Sequence, residues 1–193
     1  MPQVLEIPIF PLGTVLFPGG RLPLRIFEPR YVDMTKACIR DGSVFGVSLI
    51  RAGYEVGKPA VPCELGCTAR IAEWEVPGPG LFMLQTRGET RFRILNRWAE
   101  RDGLLRARVE LMEPAAPQAL PERFRLLGQL LRSLMDEMGE EHFPEPRPDD
   151  AAWVGCRLAE LLPVTPERKQ RLLELDEPLA LLAAIEKELK EVH

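Results

Sequence analysis

Residues 7–31 read IPIFPLGTVLFPGGRLPLRIFEPRY, and the reading of this stretch decides the fold. Apolar side chains run almost throughout it, yet Pro8, Pro11, Pro18, Pro23 and Pro29 interrupt at short intervals. Proline has a fixed φ and no amide donor, so it is ill-suited to a helix interior or a central strand. Short extended pieces joined by turns are therefore expected, with Phe17-Pro18-Gly19-Gly20 the clearest turn. Pro29 stands where a helix can begin, since its missing amide costs nothing in the first turn. Tyr31, Met34 and Cys38 then recur at helical spacing, with Asp33, Lys36 and Arg40 on other faces. Asp41-Gly42 closes that helix.

Beyond it, strands dominate up to residue 113. Phe45–Ile50 is rich in β-branched and large apolar residues and reads as a buried strand. Residues 51–64 carry Gly53, Gly57, Pro59 and Pro62 and read mostly as loop. A strand over 66–76 changes the phase of its alternation near Ala72, and Pro77-Gly78-Pro79-Gly80 turns the chain into a returning strand over 81–86. Residues 90–98 and 104–112 form two more strands joined at Arg101-Asp102-Gly103. In the last, Leu105, Ala107, Val109 and Leu111 face one way and Arg106, Arg108 and Glu110 the other. Six or seven strands and one helix suffice for a twisted antiparallel sheet or a partly closed barrel.

The pattern changes at residue 114, where three prolines in eight residues mark a linker over 114–120. Phe124, Leu127, Leu130, Leu131, Leu134 and Met138 then share one face of a long helix. Asp149 or Asp150 can cap a second helix, and Thr165-Pro166-Glu167 and Asp176-Glu177-Pro178 begin a third and a fourth. The expected class is α+β: a mostly antiparallel pseudo-barrel over 1–113, followed by a helical lobe of about four helices over 121–193.

An apolar content of 46% with 28% charged residues is that of a soluble globular chain. No apolar run is long enough to span a membrane, and the first ten residues lack a signal-peptide pattern, so a cytoplasmic location is expected. Four scattered cysteines fit reduced thiols there. Residues 1–120 carry 15 Lys/Arg against 13 Asp/Glu, and residues 121–193 carry 10 against 16. Neither balance supplies the clustered cations of a nucleic-acid binder.

The order of residues adds a resemblance. Pro8-Ile9-Phe10-Pro11-Leu12, then Leu16-Phe17-Pro18-Gly19, then Leu24-Arg25-Ile26-Phe27-Glu28-Pro29-Arg30-Tyr31 closely resemble the opening of the N-terminal substrate-binding domain of ATP-dependent Lon proteases. Gly66-Cys67-Thr68-Ala69-Arg70-Ile71 is similar to that family's Gly-Thr-x-Ala-Arg-Ile strand, with Cys67 displacing the alignment slightly. Gly88 to Ile94 and Leu161 to Leu173 resemble two further family segments, so the likeness spans nearly the whole chain. It implies a domain that recognises polypeptide substrates and is not catalytic. No Gly-x-x-x-x-Gly-Lys-Ser/Thr phosphate loop occurs, Gly57-Lys58 being followed by Pro59, so a stand-alone domain without the ATPase and peptidase is expected.

Independent chemistry is sparse. Cys63 and Cys67 make one pair where structural zinc needs four ligands, so no metal and no cofactor are expected. Gly46-Val47-Ser48 begins like a nucleophile elbow, but Ile50 stands where that turn needs glycine. His142 and His193 have no nucleophile partner in view, and no enzyme activity is expected. Arg87, Arg91, Arg93, Arg97, Arg106 and Arg108 read as a solvated strand face with partners such as Glu89 and Glu110, or as an anionic-ligand or RNA surface, though no aromatic platform interleaves with them. Arg25, Phe27, Glu28, Arg30 and Tyr31 fit two roles: a capped and ion-paired turn, or aromatic and charged contacts for an extended peptide. Leu81, Phe82 and Met83 fit either a peptide surface or core. The reading is a polypeptide-binding module that uses a cleft between sheet and helices or an open sheet edge. The alternatives are a small-molecule or anionic-ligand sensor and an adaptor subunit of a separate protease.

Overall fold

The computed structural model describes residues 1–56 and 60–192. Gly57, Lys58 and Pro59 of the expected 51–64 loop, and His193, lie outside the described residues. Contacts divide the chain into two compact units, Met1–Glu113 and Pro114–His193. The first holds β1 (Val4–Leu12), β2 (Arg21–Ile26), α1 (Pro29–Asp41), β3 (Phe45–Ala52), β4 (Val61–Pro62), β5 (Leu65–Gly78), β6 (Leu81–Ala99) and β7 (Leu105–Leu111). The second holds α2 (Arg125–Met138), α3 (Ala151–Leu161), α4 (Pro166–Leu173) and α5 (Pro178–Val192). The class is α+β, with a mostly antiparallel sheet.

The sheet runs β1-β7-β6-β5-β3-β4, and β1 also pairs with β3 in parallel, which closes β1, β7, β6, β5 and β3 into a ring. β1 changes partner along its length: Val4–Ile9 lie antiparallel to β7, and Ile9–Leu12 lie parallel to Gly46–Leu49 of β3. This accounts for a departure from the sequence expectation, because one nine-residue strand contains both Pro8 and Pro11. Pro8 pairs only with β7 and Pro11 only with β3, so each has one side where a missing N–H breaks no ladder bond. Both faces of β1 are buried from Ile9 onward, hence its nearly unbroken apolar sequence.

β6 departs more sharply, since 81–86 and 90–98 form a single 19-residue strand. The turn at Phe17–Gly20 is the reason. Gly20 N–H donates to Phe17 O at 2.9 Å, with Gly19 at φ 79°. That turn docks on β6 through Gly19 N–H to Gly88 O at 2.7 Å and Gly88 N–H to Gly20 O at 2.8 Å. Gly88 is thus a place of close backbone approach within a continuous strand. The phase change near Ala72 is a bulge, with the β5–β6 register shifting between Ile71 and Glu73.

Among the described residues, two apolar clusters lie in this unit. Ile7, Ile9, Phe92, Leu105, Ala107 and Val109 form one, and Gly46 lets Ile9 and Phe92 close in. The other joins Tyr31, Val32, Met34 and Cys38 of α1 to Phe10, Phe45, Val47, Phe82 and Leu84. Gly42 ends α1 at φ 62°, while Glu28 holds the N-cap position without a side-chain cap bond. Its carboxylate is engaged elsewhere, as described below.

In the helical unit α3 packs on α5, with Val154 and Leu158 buried on one and Leu182 and Ile185 on the other. Asp150 Oδ2 caps α3 by accepting from Trp153 N–H at 3.0 Å, and Thr165 Oγ1 caps α4 through Arg168 N–H at 3.3 Å. Buried Arg157 grips Glu160 one turn on, at 2.7 and 2.9 Å. Leu130 and Met138, expected on the covered face of α2, are partly exposed at 38% and 40%.

A Cβ built on Gly88 would stand 2.2 Å from Phe17 O, a backbone atom that cannot step aside. Gly88→Ala is therefore expected to cost about 2–3 kcal/mol in urea unfolding. A loss near zero would show that the turn is not fixed to β6.

Candidate functional site

β2 is the element that opens a site. It pairs with β6 in the register Arg21↔Arg87 to Ile26↔Phe82 and with no other strand among the described residues, leaving one edge free. Its alternation is plain: Leu22, Leu24 and Ile26 are more covered than Arg21, Pro23 and Arg25. Pro23 has no N–H, so a regular antiparallel pair with Gln85 requires its backbone to point away from β6. Thr86 Oγ1 donates to Leu22 O at 2.6 Å, consistent with Leu22 facing β6. The outward backbone groups of Arg21 and Arg25 flank that gap.

Beneath β2 lies a pocket of about 240 Å³. Its wall is Leu22, Leu24 and Ile26 of β2, its floor Phe10 and Leu12 of β1 with Tyr31 of α1, and its rim Arg25, Phe27, Glu28, Glu55 and Val56. Phe10 and Tyr31 stack with centroids 4.0 Å apart and planes at 8°, tying α1 to β1 at the base. Phe27 is 55% exposed at the mouth, an aromatic ring that folding leaves in water. Glu55 Oε1 accepts from Gly13 N–H at 2.7 Å, which holds the 55–56 segment against the end of β1.

The electrostatics are set from behind. Arg30 is buried, donating from Nε to Glu28 Oε2 at 2.8 Å and from Nη1 to Gly103 O at 3.1 Å, with its guanidinium 4.8 Å from the centre of the Tyr31 ring. Glu28 thereby spends its charge on Arg30 rather than on the α1 amides. Burial pushes the Tyr31 phenol above its usual value, with Arg30 opposing and Glu28 and Glu55 adding to the rise. Burial likewise raises the Cys38 thiol, keeping it protonated and unreactive.

Four of the sequence-derived candidates, Arg25, Phe27, Glu28 and Tyr31, therefore meet at one pocket, with Arg30 behind it. Leu81, Phe82 and Met83 do not line it. Phe82 is core opposite Ile26, Met83 is exposed on the reverse face opposite Arg25, and Leu81 is half-buried opposite Gly78. Sequence reasoning missed the wall and the Glu55–Val56 part of the rim. Leu22 and Leu24 were signalled by their alternation, whereas nothing in residues 51–56 marks Glu55 and Val56 as neighbours of Phe10. Of the arginines on these strands, Arg93 lies across from Glu110 and Arg108 across from Glu6, whereas Arg87 lies between Arg21 and Arg70. Glu89 pairs with Arg70, and Arg106 reaches Glu100 at 3.7 Å. Ser48 sits within β3 and donates to Cys63 O at 3.0 Å, a structural bond.

The fold and this pocket can be set beside known proteins. The family model for the ATP-dependent protease La (LON) substrate-binding domain matches residues 6–191. The chain belongs to the LON substrate-binding domain family. It is 36% identical over 142 residues to Lon protease 2 of Myxococcus xanthus, a match spanning 72% of this chain and 17% of that protein. The crystal structure of a Lon N-terminal domain protein from Xanthomonas campestris superposes with a TM-score of 0.78 at 36% identity, covering 93% of this chain and 95% of that one. The N-terminal domain of the Mycobacterium avium complex Lon protease gives 0.62 at 16% identity over 95% and 97%, a likeness of fold alone. No helix among the described residues is long and apolar enough to cross a membrane.

Replacing Arg30 by methionine would strand the mostly covered Glu28 carboxylate and free the Gly103 carbonyl. Arg30→Met is expected to cost about 3 kcal/mol in chemical unfolding, because breaking a buried pair leaves a charge uncompensated. Arg30→Lys should recover less than half of this, since an ammonium cannot span both partners in the arginine's fork geometry. Full recovery by lysine would show that charge alone matters.

Proposed function

We propose that this chain binds extended segments of other polypeptides, without turning them over, by taking an apolar side chain into the pocket beneath β2. The observation that carries this reading is the meeting of a half-exposed Phe27 with the Leu22–Leu24–Ile26 wall directly beside a free strand edge. A pocket gives side-chain selectivity and an adjacent edge gives main-chain hydrogen bonds, the two components of strand addition. Membership of a substrate-binding domain family supports polypeptide as the ligand class. Free cysteines suit a reducing compartment such as the cytoplasm.

The pocket is a poor fit to an anionic small molecule. Glu28 and Glu55 put two carboxylates at the rim, and Glu28 already engages Arg30. Its volume of about 240 Å³ also lies below the span usual for enclosed small-ligand sites, about 300–1,000 Å³. It suits one side chain of a larger partner.

Fluorescence anisotropy with a labelled, cysteine-alkylated, permanently unfolded polypeptide tests the reading. Phe27→Ala removes an exposed ring and should leave unfolding unchanged while weakening binding about tenfold, as for an aromatic anchor. Undiminished binding would remove the pocket from the proposal. Binding to one folded protein at equal stoichiometry, with none to the unfolded chain, would make the protein an adaptor instead.

A further inference from the structure

β2, β6 and β5 form a three-stranded arm with two free edges, only one of which borders the pocket. On the far side, β5 pairs with β3 through Cys67, Thr68 and Ala69 and then runs on to Gly78 bonded, among the described residues, to β6 alone. Residues 72–77 of this second edge, Ala-Glu-Trp-Glu-Val-Pro, are all exposed. Trp74 is 50% exposed and Val76 54%, unusual on a strand that folding could have covered. The bulge after Ile71 resets the faces. Beyond it, Glu73 lies across from Gln85 and Pro23, and Glu75 across from Met83 and Arg25, on one face. Trp74 lies across from Leu84 and Leu24 on the other, and a second register shift follows between Glu75 and Gly78, beside Val76. Glu73 and Glu75 form no ion pair among the described residues.

We infer that the β5 edge from Glu73 to Val76 is a second docking site, for an extended segment in which lysine or arginine alternates with apolar residues. A strand laid along this edge continues both faces of the arm at once. Its alternate cations meet Glu73 and Glu75, extending the row that begins at Arg25 and Met83. Its intervening apolar side chains cover Trp74, extending the row of Leu24 and Leu84. An acidic segment is repelled on the first face and an all-polar one leaves the indole wet, so the edge selects by pattern as well as by charge. A second copy of this edge is a poor occupant, because antiparallel self-pairing sets Glu73 and Glu75 against the same two carboxylates.

The test is anisotropy with a labelled peptide of about eight residues alternating lysine and valine, one strand in length. A glutamate–valine peptide of equal length serves as control. The lysine peptide should bind at least tenfold more tightly than the glutamate peptide, which keeps only what the pocket beneath β2 gives it, and salt should weaken the lysine complex. The exposed pair Glu73→Lys and Glu75→Lys together should weaken lysine-peptide binding about tenfold and admit the glutamate peptide. Trp74→Ala should weaken binding by a similar factor, and Phe27→Ala should leave the preference for lysine over glutamate unchanged, which separates this site from the pocket beneath β2. Equal binding of both peptides, no binding of either, or indifference to the Glu73/Glu75 charge reversal would overturn the proposal. Concentration-dependent dimerisation abolished by Trp74→Ala, without peptide binding, would instead give the edge to a second copy.

Discussion

Four residues of parallel pairing, Ile9–Leu12 against Gly46–Leu49, hold the β unit in its present form. Without them the strands would be an open antiparallel sheet with one side of β1 and the Gly46–Leu49 side of β3 bare. With them the ring closes, and the chain must leave β7 at Ile9 to cross to β3. Beside that crossing, strand alternation turns Phe10 and Leu12 away from the Ile9–Phe92 cluster and into the one built on α1. They supply the pocket floor, where Phe10 stacks on Tyr31.

A second constraint follows from the first. A closed ring leaves no ladder position for β2, which pairs instead with the near half of β6. The long β6 serves both the ring and the arm, and Gly88 marks the junction where the Phe17–Gly20 turn rests on it. The arm therefore keeps two free edges that a closed barrel would abolish. Arginines and a proline guard the β2 edge, and glutamates and a bulge guard the β5 edge, the usual defences against indiscriminate pairing. Trp74 and Phe27 are the places where that defence lapses. Exposed aromatic rings beside unpaired backbone are what a strand-accepting protein requires.

Much of this was legible in the sequence, and the failures are physically instructive. The Gly19–Gly20 turn, the Gly42 helix stop, the alternation of β7 and the phase change at Ala72 all have local causes, and each stands where its residues placed it. The prolines misled because their tolerance depends on which neighbour is missing. Pro8 and Pro11 sit in a long strand whose two sides are never both paired at those residues. The single β6 was hidden by Gly88, which reads locally as a break but serves a close approach from a turn seventy residues earlier in the chain. For the site, Arg25, Phe27, Glu28 and Tyr31 are contiguous in sequence and so visible together. Glu55 and Val56 meet them only through tertiary structure, and no local pattern could announce that.

Amide hydrogen exchange of the whole chain, with and without a saturating unfolded polypeptide, tests the central claim most directly. Binding beneath β2 should slow exchange within residues 21–31 and 10–14, where the edge and the pocket floor lie, while amides after residue 114 keep their rates. Protection confined to the helical unit, or none in β2 despite demonstrated binding, would contradict the account.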